Sequence, residues 1–110
     1  MAFGEALALA ISSWDSPARV ALIASGGLTH YVIDEQFDRE VLAAIAREDP
    51  NALGAIDEAR LQAGTAELKN WLLVVGAMIA LGMPMTLVDY VPCYRSQAGT
   101  GTAMGFVSWG

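Results

Sequence analysis

At 110 residues the chain is one domain at most, with length enough for a modest core. Charged residues make up only 16% of it, against about 25% in an ordinary soluble protein, and 55% of it is hydrophobic, so some apolar surface is expected to meet a partner. The net charge of −6 and six scattered cations exclude a nucleic-acid footprint, while the single cysteine, Cys93, excludes an internal disulfide and fits a reducing cytoplasm.

Residues 2–14 (AFGEALALAISSW) read as a helix with Leu7, Ile11 and Trp14 on its apolar face, ended by Asp15-Ser16-Pro17. The start has no basic n-region, so a secretory signal is not expected. Residues 19–24 (RVALIA) are nearly all apolar, as expected of a strand covered on both faces. A loop is predicted over residues 26–37. Asp38 then serves as N-cap of a short helix through Ala46, with Phe37 stapled against Leu42. Asp49-Pro50 restarts a helix that is expected to run to about Gln62 and stop near Gly64.

Thr65 is predicted to cap a long apolar helix through Leu81, terminated by Gly82 and Pro84. The only candidate membrane segment, residues 71–85, falls short of the roughly 20 residues a bilayer needs and contains Gly76, Gly82 and Pro84, so it reads as a buried helix. Residues 85–91 (MTLVDYV) read as a second strand, residues 97–101 (QAGTG) as a glycine-rich loop, and residues 102–109 as a third strand. The sequence closes on Trp109-Gly110, which suggests a docked terminus or a piece of something longer. The fold class expected is α/β, with helices layered on a small mixed sheet in a single domain over residues 1–110.

His30 is the only histidine, and it follows Ser25-Gly26-Gly27-Leu28-Thr29 where a strand should end in a tight turn. An imidazole titrates nearer neutral pH than any other side chain, which suits general acid/base work. A turn histidine bonded to the backbone is the plainer alternative, and on the residues alone both readings stand. Glu67 lies in the first turn of the long helix, where the helix dipole stabilises a carboxylate by roughly 0.3–1 kcal/mol; a metal ligand held at a helix start is the functional alternative. The Ser96-Gln97-Ala98-Gly99-Thr100-Gly101 loop offers backbone amides to an anion, but no Lys-Ser/Thr follows, and a plain turn is the simpler reading. Asp34, Glu35 and Asp38 read as a solvated acidic cluster. Tyr90, Tyr94 and Trp71 read as core aromatics before pocket residues. A hydrolase using Ser25 or Cys93 lacks a second histidine as base.

Taken together, the segment from Arg19 to His30, ending in Gly-Gly-Leu-Thr-His, resembles the strand-and-turn segment of the class III extradiol ring-cleavage dioxygenases, nearest to the β-subunit type of protocatechuate 4,5-dioxygenase. Phe37-Asp38, Gly64-Thr65-Ala66-Glu67-Leu68-Lys69-Asn70-Trp71, Gly76-Ala77 and Thr102-Ala103-Met104-Gly105 follow in the family's order, across essentially the whole chain. The resemblance implies that the chain is the C-terminal portion of that fold. It further implies that His30 is the catalytic acid/base, that Glu67 is the carboxylate ligand to non-haem Fe(II), and that Thr100 and Gly101 contact substrate. The two histidine ligands of the facial triad belong to the family's N-terminal half, which has no counterpart here.

The implied reaction is meta-cleavage of a catechol-type aromatic acid by O₂, with the isolated chain inactive and its partner a missing half, another subunit or further copies of itself. The competing reading is a non-catalytic α/β oligomerisation or interaction module that has lost the iron site. Neither nucleic acid nor membrane is an expected partner.

Overall fold

The structure, a computed structural model, describes residues 2–110, and only the backbone of Ala63 and Gly64. Its elements in chain order are helix α1 (Ala2–Ser13), strand β1 (His30–Val32), helices α2 (Glu35–Ala46) and α3 (Pro50–Gly54), two 3₁₀ turns (Glu58–Arg60 and Ala63–Glu67), helix α4 (Leu68–Ala80), and strands β2 (Met85–Tyr94) and β3 (Thr100–Trp109). The chain is thus α/β, with helices layered on a small sheet as expected. The sheet, expected to be mixed, is instead antiparallel at both pairings, in the order β1-β3-β2, because the long β2–β3 hairpin makes most of it.

β2 and β3 form a long hairpin, closed where Gly99, at φ +85°, donates to Ser96 O at 3.2 Å. The register runs from Met85 opposite Trp109 to Tyr94 opposite Gly101, with Val88 bulged between the Leu87 and Asp89 pairs. Pro92 interrupts no ladder because β2 is an edge strand. The core lies between the sheet and α2, α3 and α4, around Leu28, Phe37, Ile45, Leu53, Leu68, Trp71 and Val75.

The strand expected over residues 19–24 is absent. A strand covered on both faces needs neighbours to complete its ladder, and the backbone bonds to β3 that continue past His30 reach back no further than Leu28. Residues 20–24 instead run past β3 across an apolar groove of about 570 Å³, lined also by Trp71, Met78 and Trp109. Ile23 is left 82% exposed.

Four helix expectations also change. α1 buries Gly4 and Ala8 rather than a Leu7-Ile11-Trp14 face, and Trp14 lies outside the helix and exposed. A Cβ on Gly4 would sit 2.5 Å from Leu73 O and 2.7 Å from Ala77 N, so small residues one turn apart let the α1 and α4 backbones approach closely. Asp34, not Asp38, caps α2, accepting from Phe37 N at 3.0 Å. Starting the helix at Glu35 turns Phe37, Asp38, Val41, Leu42 and Ile45 inward together, so Asp38 is buried rather than solvated.

Asp49 caps α3 with Pro50 in its first turn, but that helix stops at Gly54, and of the residues expected to continue it to Gln62 only Glu58–Arg60 are helical, as a 3₁₀ turn. Thr65 lies inside the second 3₁₀ turn and caps nothing; its hydroxyl accepts from His30 N. No helix among the described residues is long and apolar enough to cross a membrane.

Candidate functional site

The near side of the turn that presents His30 is held by one stretch of chain. At the entry of α4, Glu67, Asn70 and Trp71 share a face by their three- and four-residue spacing. Glu67 Oε2 accepts from Gly27 N at 3.3 Å, Asn70 Nδ2 donates to Ser25 O at 3.4 Å, and Trp71 Nε1 donates to Gly26 O at 3.1 Å. Both glycines are required by contact. Gly26 has φ +103°, and a Cβ there would meet Glu67 Oε2 at 2.2 Å; a Cβ on Gly27 would meet Ala103 O at 2.7 Å and His30 Cε1 at 2.9 Å. The far side of the turn is pinned to the sheet, with Leu28 N donating to Ala103 O and Ala103 N to Thr29 O, both at 2.9 Å.

His30 and Glu67, distant in sequence, are thereby brought together, with His30 Nε2 4.0 Å from Glu67 Oε2. That separation exceeds a direct hydrogen bond, yet one small ligand atom reaches both. The His30 side chain is 19% exposed and that of Glu67 53%. His30 Nδ1 lies 2.8 Å from Leu28 O. A carbonyl only accepts, so Nδ1 carries the proton in the neutral ring and Nε2 keeps its lone pair. His30 lines a cavity of about 350 Å³ with Gly26, Gly27, Thr102, Met104, Gly105 and Phe106. This is the small end of the ~300–1,000 Å³ typical of ligand clefts. The larger groove beside residues 20–24 shares Gly105 and Phe106 with it but has no titratable lining residue.

Thr100 and Gly101 stand outside the cavity lining. The register that sets His30 opposite Thr102 places Gly101 opposite Tyr31 and Thr100 opposite Val32, further along the strand. Thr100 Oγ1 is engaged with Ser96 Oγ at 2.6 Å, and Gly101 packs on the Cys93 carbonyl. Thr102 and Met104 line the cavity instead. Cys93 is exposed. Trp71 is buried as expected of a core aromatic, though its ring N–H also fastens the turn. The spacing Glu67-x-x-Asn70-Trp71 was the sequence signal for this clamp. Nothing local marked Asp38 and Thr65 as supports of the turn, because their partners come from other elements.

Asp38 is 1% exposed; its Oδ1 accepts from Thr29 N at 3.0 Å, and its Oδ2 accepts from Thr29 Oγ1 at 2.8 Å and Tyr90 OH at 2.6 Å. Burial, then this hydrogen bond and charge, push the Tyr90 hydroxyl above the usual tyrosine value of 10.0. With the folded value above the unfolded one, Tyr90 contributes stability that is fully present below about pH 10 and is lost as pH rises from there. Tyr90→Phe is therefore expected to cost roughly 1–2 kcal/mol at neutral pH and to flatten the alkaline fall. Denaturant titrations of both proteins from neutral to strongly alkaline pH check this.

Among the described residues no group of three or more His, Cys, Asp or Glu side chains is placed to hold a metal ion. A non-haem Fe(II) site takes two histidines and a carboxylate. This chain offers Glu67 and one histidine whose Nδ1 is committed to a carbonyl, so its own donors do not make such a site.

No curated protein and no solved structure matches the chain. The family model described as the catalytic LigB subunit of aromatic ring-opening dioxygenase matches residues 1–100, a span that contains the glycine turn, His30 and Glu67. With nearly its whole length matched, the chain belongs to the family of the catalytic LigB subunit of aromatic ring-opening dioxygenases.

Proposed function

We propose that this chain is the part of an Fe(II)-dependent extradiol dioxygenase that carries the acid/base group, of the protocatechuate 4,5-dioxygenase β-subunit type. Its substrate class is a catechol-type aromatic acid, cleaved by O₂ in the meta position. The observation that carries this reading is the approach of His30 Nε2 to Glu67 Oε2 at 4.0 Å beside a small, partly apolar cavity. The remaining iron ligands come from polypeptide outside these residues, either an N-terminal half or another subunit, and the isolated chain is inactive.

Within that enzyme His30 does the proton work. Its Nδ1–H is held by Leu28 O, so the Nε2 lone pair faces the cavity, takes a proton from a substrate hydroxyl and gives it back to an oxygen as the ring opens. Gly26, Gly27 and the α4 clamp hold the turn that carries that ring. Met104 and Phe106 supply apolar cover for an aromatic ring. Glu67, half-exposed with its Oε2 4.0 Å from His30 Nε2, is the carboxylate this chain contributes towards the iron.

The test compares iron content and O₂-dependent ring opening for the chain alone and for the chain joined to its completing polypeptide. The chain alone is expected to show neither stoichiometric iron nor turnover, and the completed enzyme both. Glu67→Gln in the completed enzyme is expected to lose most of the iron. Full iron and turnover in that variant would sink the assignment.

The extent of exposed apolar surface, with Ile23 at 82% and Phe3 and Leu9 at 70%, favours a second reading as an interaction module. That reading predicts a stable oligomer by gel filtration that binds no iron in any combination.

A further inference from the structure

We infer that Asp38 is a positioning residue for His30, acting through the peptide bond between Leu28 and Thr29. The inference rests on the proposed role of His30.

A buried carboxylate is costly unless several donors reach it. Asp38 has three, drawn from two other segments of chain: the Thr29 backbone N–H, the Thr29 hydroxyl and the Tyr90 hydroxyl. It is not the cap of its own helix, since Asp34 accepts from Phe37 N and caps α2, and the neighbouring inward positions are apolar. The carboxylate is therefore explained by what it holds.

What it holds is one end of a planar unit. Thr29 N–H and Leu28 C=O belong to the same trans peptide, so they point in opposite directions. Asp38 Oδ1 takes the N–H at 3.0 Å, and the carbonyl at the other end takes His30 Nδ1–H at 2.8 Å. Rotation of that plane breaks both bonds together. The Thr29 hydroxyl adds a second tie: it donates to Asp38 Oδ2 and accepts from Asp34 N at 3.0 Å, joining the turn to the start of α2. Asp38 thus decides which imidazole nitrogen carries the proton and which one faces the cavity, without touching the ring.

Because His30 is the only histidine, ¹⁵N-imidazole NMR of the whole 110-residue chain in mildly alkaline buffer reads its tautomer without ambiguity. The wild-type ring is expected to be almost wholly the Nδ1–H form. Asp38→Asn, whose neutral amide is a weaker acceptor, is expected to raise the ratio of Nε2–H to Nδ1–H several-fold. Asp38→Leu, which keeps the core filled and removes the acceptor, is expected to raise it tenfold or more. Leu53→Ala, a core truncation in α3, controls for lost stability and is expected to leave the ratio unchanged.

If Asp38→Leu does not fold, the Asp38→Asn arm decides. A wild-type ring protonated on Nε2, or an Asp38→Asn ratio equal to wild type, overturns the inference, as does a Leu53→Ala shift as large as that of the Asp38 variants. The readout needs no turnover, so it is separable from the functional reading, which falls instead if His30→Ala leaves ring opening intact in the completed enzyme.

Discussion

Replacing His30 with alanine in the completed enzyme is expected to lower kcat by about 10²–10⁴-fold, the range over which a positioned general acid/base contributes. KM and iron content are expected to stay near the parent values, because His30 Nε2 lies 4.0 Å from Glu67 Oε2, beyond hydrogen-bond distance, and removing the ring leaves the Glu67–Gly27 contact in place. His30→Gln sharpens the experiment: it keeps a polar group of similar reach and cannot cycle a proton, so its kcat is expected to stay low. Steady-state kinetics with metal analysis on the same samples separate loss of proton transfer from loss of iron. A variant that turns over at the parent rate removes His30 from the chemistry.

The second large effect is expected at Gly26. An alanine there must hold φ at +103° and places a Cβ 2.2 Å from Glu67 Oε2 and 2.6 Å from Glu67 Cβ. The backbone conformation alone costs about 1–3 kcal/mol for a residue with a Cβ. A chain of this size loses roughly 4–8 °C of melting temperature per kcal/mol. Relief of both clashes requires the Glu67 carboxylate to swing away from Gly27 N and the turn to shift from the α4 entry, so in the completed enzyme Gly26→Ala is expected to lose iron beyond what its lower melting temperature explains. Thermal melts and iron content, measured beside a similarly destabilised core variant such as Leu53→Ala, distinguish the two effects. An unchanged melting temperature would show that the turn does not need a glycine there.

Much of the site was legible because its signals are local. Two adjacent glycines before a lone histidine mark a tight turn, since few other residues permit that backbone and that closeness. Glu67 was legible as a carboxylate entering an apolar helix, and Asp49-Pro50 as a helix start, because caps act within one turn of chain. The hairpin strands were legible from residue type, although β3 begins two residues earlier than expected, since a ladder extends as far as its partner does.

The misread segments depended on what lies beside them. Residues 19–24 have the composition of a buried strand, yet composition supplies no neighbour, and without a paired edge residues 20–24 line a groove instead of joining the sheet. Asp38 has the signature of a helix cap, and so does Asp34; the choice fell to the start that buries Phe37, Val41 and Ile45 together. Which residues of β3 line the cavity was equally out of reach of the sequence: Thr102 and Met104 do, with Thr100 and Gly101 further along, by a register that only strand pairing decides.

The sequence by itself thus determined the α/β class, the turn, and the two side chains whose types suit proton transfer and metal binding. Backbone freedom and side-chain chemistry are properties of residues. Only the tertiary structure decided that Glu67 approaches His30, that Asp38 grips the peptide behind the imidazole, and that Thr102 rather than Thr100 faces the cavity. Those depend on close approach between segments far apart in the chain, which burial and pairing select collectively and no short stretch encodes alone.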